Sequence, residues 1–139
     1  MCVFCNIAER TSTEAIVFVN DILTVAITLH QKERNLGAVM VIPRNHFRGI
    51  YDVPNEILTE VARVSKLCAS AMKKSLRCDG ITVLQNNEPA GGQDVFHYHM
   101  HVIPRFTNDQ FFEMPSRVSA LEERKRFGAI IANELNLEI

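Results

Sequence analysis

Three histidines alternate with apolar or aromatic residues in the segment His97-Tyr98-His99-Met100-His101, which holds three of the chain's five histidines. Successive side chains of a strand point to opposite faces, so we expect the three imidazoles on one face and a core-facing apolar stripe on the other. Imidazole titrates near neutrality, so one ring could attack an electrophile while its neighbours handle protons. Three neutral imidazoles could instead hold a catalytic zinc ion. A solvated polar face is the third interpretation, and the alternation with apolar residues disfavours it.

A pair of cysteines, Cys2 and Cys5, stands at the start of the chain with two residues between them. Half of a zinc site, a redox pair and unused free thiols are all compatible with this spacing. A thioredoxin-like redox pair follows a strand, and no strand is predicted before Cys2. The zinc interpretation requires two further ligands, and free thiols stay open as the alternative.

A loop rich in amide and glycine residues precedes the histidines. Gly91 and Gly92 allow a backbone to approach a ligand closely, and backbone N–H groups there could face anionic oxygens. The side-chain amides of Asn86 and Gln93 could donate to a phosphate. A plain β-turn is the alternative for this loop.

These residues must be positioned by a sheet and two helices. Apolar residues spaced by three and four predict a helix over residues 52–77, and a second helix begins near Ser119. Strands connected mostly as hairpins, with the helices segregated, indicate an α+β fold with a five-stranded antiparallel sheet. The strands are predicted from runs of β-branched and apolar residues over 14–19, 22–29, 37–43, 81–84 and 95–103.

Composition limits the function classes. The chain has 139 residues and a formal net charge of -1, which suits one domain and excludes a strongly basic nucleic-acid binder. No apolar run reaches the roughly 18 residues of a membrane span, and the start has no signal-peptide pattern. We therefore expect a cytoplasmic protein with reduced cysteines, without a nucleic-acid or membrane partner.

The stretch from Asn86 to Arg105, with its His-x-His-x-His motif, resembles the histidine triad (HIT) superfamily, as does the segment Val41-Ile-Pro-Arg-Asn-His46. The start Cys2-x-x-Cys5 is similar to a zinc-carrying bacterial branch. The resemblance covers roughly residues 2 to 105. It implies one domain over 1–139, with the motifs in 1–105 and a C-terminal extension carrying a helix in 106–139.

The resemblance implies a nucleotide-binding phosphohydrolase or nucleotidyl transferase. His99 would attack the α-phosphate of a nucleoside phosphoramidate, an acyl-adenylate or a dinucleoside polyphosphate, forming a nucleotidyl-histidine. His101 and His97 would assist catalysis, and a purine nucleotide such as AMP would bind. A nucleotide-sensing or partner-binding module with little turnover is the alternative. The substrate-binding residues implied are Asn86, Gly92, Gln93, His99 and His101.

The resemblance also supplies the missing zinc ligands, His46 and His97, which with Cys2 and Cys5 would form a closed structural site. His97 would then be a ligand and take no direct part in catalysis. Members usually form a homodimer with one continuous sheet. They commonly carry an Asp that binds the ribose in the second strand and Ser or Thr after the Gln. This chain has no carboxylate between Ile22 and Gln31, and it has Asp94 after Gln93.

Overall fold

A computed structural model describes residues 2–8 and 15–138 of the chain. It contains an antiparallel five-stranded sheet, a separate two-stranded pair and three helices. None of the described helices is long and apolar enough to cross a bilayer. The strands are β1 (Ile16–Val19), β2 (Leu23–Ile27), β3 (His30–Gln31), β4 (Val39–Pro43), β5 (Gly80–Leu84), β6 (Met100–Arg105) and β7 (Arg117–Val118), and the helices are α1 (Val3–Ala8), α2 (Asn55–Ser75) and α3 (Leu121–Glu138).

The five-stranded sheet has the order β1-β2-β4-β6-β5, with every neighbouring pair antiparallel. Its central strand β4 is buried on both faces, as its continuous apolar sequence predicts. Val39 and Val41 belong to the core under α2 and α3, whereas Met40 and Ile42 pack in a second cluster with α1. The sheet therefore carries the two long helices on one face and α1 on the other, and the α+β prediction is confirmed.

The predicted helical stripe covers one face of the sheet. Val61, Val64, Cys68 and Met72 of α2 are fully buried in the main core, and Ile57 packs against it half-buried. Ile131 and Leu135 bring α3 into the same core. Burial of each such side chain stabilises the fold by about 2 kcal/mol before entropy is counted.

An asparagine side chain and a glycine determine how the chain turns at the ends of two strands. The Asn20 Oδ1 atom accepts hydrogen bonds from the backbone N–H groups of Ile22 (2.8 Å) and Leu23 (2.9 Å), which closes the predicted β1–β2 turn. Gly37 precedes β4 with φ of 100°, and a Cβ atom there would lie 2.8 Å from Leu76 Cδ1. Only glycine combines that conformation with such a close approach of α2.

The last strand of the five-stranded sheet begins later than the sequence predicts. Residues 95–99 are not in a strand, and β6 begins at Met100, opposite Val41. The pairing ends there because the partner strand reaches Pro43, which has no N–H to donate. The carbonyl oxygen of Pro43 accepts a hydrogen bond from the ring of His97 instead, at 2.8 Å. The sequence analysis also missed the short helix α1 and the β3–β7 pair.

Candidate functional site

Two cysteines and two histidines from three parts of the chain meet at the edge of the sheet. Cys2 and Cys5 flank the first turn of α1, His46 follows β4, and His97 precedes β6. The ligand atoms of all four lie within 4.8 Å of one another. The Cys5 Sγ atom is 3.3 Å from His46 Nδ1 and 3.5 Å from His97 Nδ1, and Cys2 Sγ is also 3.5 Å from His97 Nδ1. These are the four metal ligands predicted above, and they form a potential metal site.

The geometry of this cluster fits zinc. A tetrahedral zinc ion, with Zn–S of about 2.3 Å and Zn–N of about 2.0 Å, spaces sulfur and nitrogen ligands about 3.5 Å apart. Because His97 Nε2 donates to the Pro43 carbonyl, its Nδ1 lone pair is free to face the two sulfur atoms. Four protein ligands leave no open coordination position for substrate. The cluster is therefore of the closed structural type, and within residues 2–8 and 15–138 the potential metal ligands are two cysteines and two histidines, not the three histidines of the motif.

The middle histidine is held as a neutral ring. His99 is 5% exposed, and its Nδ1 lies 2.7 Å from the carbonyl oxygen of His97. A carbonyl oxygen only accepts, so Nδ1 carries the proton and Nε2 keeps its lone pair. Burial lowers the pKa of His99, although the His97 carbonyl and the charge of Asp94 act in the other direction. A neutral imidazole with one fixed tautomer is the form that can act as a nucleophile.

His101, the second residue of β6, lies beside this ring. The two ring centroids are 4.8 Å apart with the planes at 80°. Burial and the neighbouring His99 lower the pKa of His101 to about 4, against the opposing charge of Asp94. The predicted alternation is confirmed for this segment, since Tyr98 and Met100 contact the main core while His99 and His101 line the opposite face.

A cavity of about 440 Å³ opens in front of His99 and His101. Its volume lies within the 300–1,000 Å³ range of small-molecule sites. Phe4 of α1 closes it on one side, and the ring of Phe4 lies 4.7 Å from that of His99, edge to face. The far wall comes from the β3 region and the segment before β7. The lining includes Val3, Phe4, Ile7, Thr28, His30, Lys32, Met40, Asp94, Val95, His99, His101, Ile103, Phe111 and Ser116.

The sequence analysis did not identify the contribution of α1 to this cavity. Val3, Phe4 and Ile7 are spaced by one and three residues, with Cys2 just before them and Cys5 among them. That helical spacing of apolar residues was the available signal. The six-residue helix α1 thus carries one potential metal ligand, Cys5, with Cys2 immediately before it, and the same helix forms a wall of the cavity.

The predicted loop residues lie next to the cavity and not in its lining. The Asn86 Nδ2 atom donates to the carbonyl oxygen of Gly92 at 3.4 Å. Gln93 is 5% exposed, and its Nε2 donates to the carbonyl oxygens of Arg48 (2.7 Å) and Val95 (3.1 Å). Its Oε1 accepts from the Glu88 backbone N–H at 2.7 Å. Gln93 therefore shapes the loop, and contacts of Asn86, Gly92 and Gln93 with a substrate stay a prediction.

Comparison with known proteins gives consistent results. A family model described as the HIT domain matches residues 10–108. An uncharacterized HIT-like protein of Saccharolobus solfataricus is 33% identical over 78% of this chain and 77% of its own length. The adenosine 5′-monophosphoramidase HNT1 of Saccharomyces cerevisiae is 39% identical over 50% of this chain and 41% of its own length. The crystal structure of a zinc-bound histidine triad family protein from Mycobacterium smegmatis is similar, with a TM-score of 0.86, 28% identity and coverage of 99% of this chain and 94% of that one.

Proposed function

The chain belongs to the HIT domain family, a family that includes nucleotide hydrolases, and on this premise we propose that it hydrolyses the bond between a nucleoside 5′-phosphate and its leaving group. The observation that carries the proposal is the ring of His99, which is fixed by a hydrogen bond to the carbonyl oxygen of His97 and lines a cavity of about 440 Å³. A purine nucleoside phosphoramidate is the first substrate to test, because the partly similar yeast relative is named for that activity.

The reaction is a double displacement at phosphorus. The Nε2 lone pair of His99 forms a bond to the α-phosphorus, and the bond from phosphorus to the leaving group breaks. A bound phosphate anion beside His101 favours the protonated imidazole, which then gives its proton to the departing nitrogen or oxygen. Water next attacks the phosphorus of the nucleotidyl-histidine and gives a proton to the now neutral His101. The bond from phosphorus to Nε2 breaks, which releases the nucleoside monophosphate, restores neutral His99 and leaves His101 protonated as before.

The metal site has a separate task. Zinc held by Cys2, Cys5, His46 and His97 would pin α1 and the segment before β6 to the sheet, and this fixes the carbonyl oxygen on which His99 depends. All chemistry in the proposal is done by His99 and His101. In this proposal His97 would act as a metal ligand and through its backbone carbonyl, and a direct part for its ring in catalysis stays a prediction.

The homodimer remains part of the proposal. β5 is an edge strand of the sheet, and Val83 on it is 51% exposed. Pairing of β5 with a second copy would extend the sheet and cover this side chain. The cytoplasmic location expected from the sequence also stays a prediction.

The proposal is tested by rapid-quench intact-mass measurement with adenosine 5′-phosphoramidate. We expect an adenylyl adduct and released AMP from the wild type and neither from His99→Gly. Because glycine leaves an imidazole-sized space, added free imidazole should restore part of the AMP release in that variant. Wild-type protein that binds AMP but forms neither adduct nor product would contradict the hydrolase and identify a nucleotide-binding module.

A further inference from the structure

One carboxylate stands at the boundary between two cavities. Asp94 lines the cavity of His99 and His101, and it also lines a second, more open cavity of about 500 Å³ beside the metal ligands. Val3 and Val95 also line both cavities. Asp94 is thus placed where it can act on a group bound in either cavity.

The charge of Asp94 is not compensated by a neighbour. Among the residues described in the structure, none forms an ion pair or a hydrogen bond with its side chain. The same cavity is lined by His99 and His101, the two rings proposed to act at phosphorus. The negative charge of Asp94 is therefore available to a ligand bound in front of these rings.

A second charged residue must be weighed against it. Arg48 also lines the second cavity, and its guanidinium carbon lies 4.9 Å from the ring centroid of Phe96. Arg48 does not line the cavity of His99. Asp94 is therefore the charged side chain shared by both cavities, whereas Lys32 lines only the first and Arg48 only the second.

The consequence concerns the charge of the leaving group. With phosphorus against His99 and the nucleoside in the first cavity, a group that departs on the side of the second cavity would lie beside Asp94. A further phosphate or a carboxylate would be repelled there, whereas an ammonium group would be attracted. We infer that Asp94 is a specificity determinant that favours substrates with a positively charged leaving group over those with an anionic one. This inference rests on the proposed function.

The test uses three adenosine 5′-phosphoramidates whose leaving amines differ only in a terminal ammonium, hydroxyl or carboxylate group. We would measure kcat/KM for each with the wild type, Asp94→Asn and Asp52→Asn, at low salt and without added Mg²⁺. Asp52→Asn is the matched control, because Asp52 is exposed, lines neither cavity and loses the same charge.

We expect the wild type and Asp52→Asn to favour the ammonium substrate over the carboxylate one by about tenfold or more, which corresponds to a pair of charges at intermediate dielectric. In Asp94→Asn the ratio should fall to about twofold, while the hydroxyl substrate changes by no more than about threefold. An unchanged ratio in Asp94→Asn would overturn the inference. So would a preference for anionic leaving groups that depends on Asp94 when the same series is repeated with added Mg²⁺, because Asp94 would then hold a bridging cation.

Failure of the proposed function would look different. If the wild type cleaves none of the three compounds, the hydrolase is wrong, and equilibrium binding of the same compounds decides the role of Asp94. Tighter binding of the ammonium compound that is lost in Asp94→Asn supports the inference. Equal affinities of the wild type for all three overturn it.

Discussion

The Nδ1 atom of His99 donates a 2.7 Å hydrogen bond to the backbone carbonyl oxygen of His97, whose ring is a potential metal ligand. This one bond joins the candidate nucleophile to the metal site. Metal binding at the His97 ring would restrain the backbone that sets the tautomer of His99. The two sites are therefore coupled through structure, although no ligand is shared between them.

Loss of the metal should weaken both stability and activity. In Cys5→Ala we expect bound zinc to fall from about one ion per chain to near zero, and the free energy of unfolding to fall by about 4 kcal/mol at zinc concentrations far above the dissociation constant. Metal analysis, thermal unfolding and kcat are the measurements. Because the nucleophile itself is intact, kcat should drop without vanishing.

Cys68→Ala is the control for this experiment. Cys68 is fully buried in the main core and is not one of the four potential metal ligands. Burial raises the pKa of its thiol to about 12. The variant should keep its zinc and lose about 1 kcal/mol through the small cavity it creates. Full zinc content in Cys5→Ala would show that the cluster is not the binding site.

Two adjacent glycines offer a matched comparison. Gly92 has φ of 89°, and a Cβ atom there would lie 3.5 Å from Asn86 Nδ2, whereas a Cβ atom at Gly91 would meet nothing within 4 Å. Gly92→Ala should therefore cost about 1 kcal/mol through backbone strain, and it should lower kcat/KM by distorting the loop before Asp94. Gly91→Ala should leave both unchanged. Equal effects of the two substitutions on denaturant unfolding would mean that the conformation of Gly92 is not needed.

A buried carboxylate organises the cavity wall after β6. Asp109 is 4% exposed and accepts hydrogen bonds from the Arg105 guanidinium, the Asn35 amide and the backbone N–H groups of Phe106 and Phe111. The Arg105 guanidinium, with these N–H donors, holds the pKa of Asp109 well below its usual range. Asp109→Ala should lower the free energy of unfolding by about 3 kcal/mol, because it leaves several buried donors without an acceptor.

The position of Phe111 in the cavity wall gives this prediction a second readout. The variant should bind AMP more weakly as well, since Phe111 lines the cavity. Arg63→Ala is the comparison, because it breaks an exposed ion pair with Glu60 (2.6 Å) and should cost less than about 1 kcal/mol. Similar losses of stability in both variants would contradict the structural role of Asp109.

Sequence patterns predicted the features that depend on local periodicity. The stripe from Val61 to Met72 follows from helical spacing, and the separation of Met100 from His101 follows from strand alternation within β6. The start of β6 could not be predicted, since it depends on Pro43 ending a strand that is distant in sequence. The meeting of Cys2 with His97 likewise depends on tertiary packing, and the sequence alone reached it only through resemblance.

The loop before the histidines shows the other limit of sequence reasoning. Residue types suggested that the Gln93 amide donates to a phosphate, but two carbonyl oxygens from the chain itself already use both of its N–H bonds. Which donors are free is a property of the folded backbone. In the sequence, Asp94 differs from the Ser or Thr that is usual after the Gln of the family. Only the folded structure shows that its exposed carboxylate lines both cavities.

The last prediction concerns acid stability. The pKa of His101 is lowered to about 4 by burial and by His99, from an ordinary value of 6.5. Below pH 6.5 the unfolded chain therefore binds a proton at this residue that the folded chain does not bind. The free energy of unfolding should fall as the pH falls from 6.5 toward 4, by about 1–2 kcal/mol for this partly exposed ring, and the contribution is fully present only above pH 6.5.

The comparison variant is His101→Gln, which cannot titrate. Zinc release at low pH would also destabilise the protein, but it would affect the wild type and the variant alike, so the difference between their urea unfolding curves isolates His101. Measured across this pH window, the loss of stability should be smaller in His101→Gln than in the wild type. Parallel pH profiles would show that His101 takes up its proton in the folded protein as readily as in the unfolded chain, and the neutral state assigned to this ring would then be wrong.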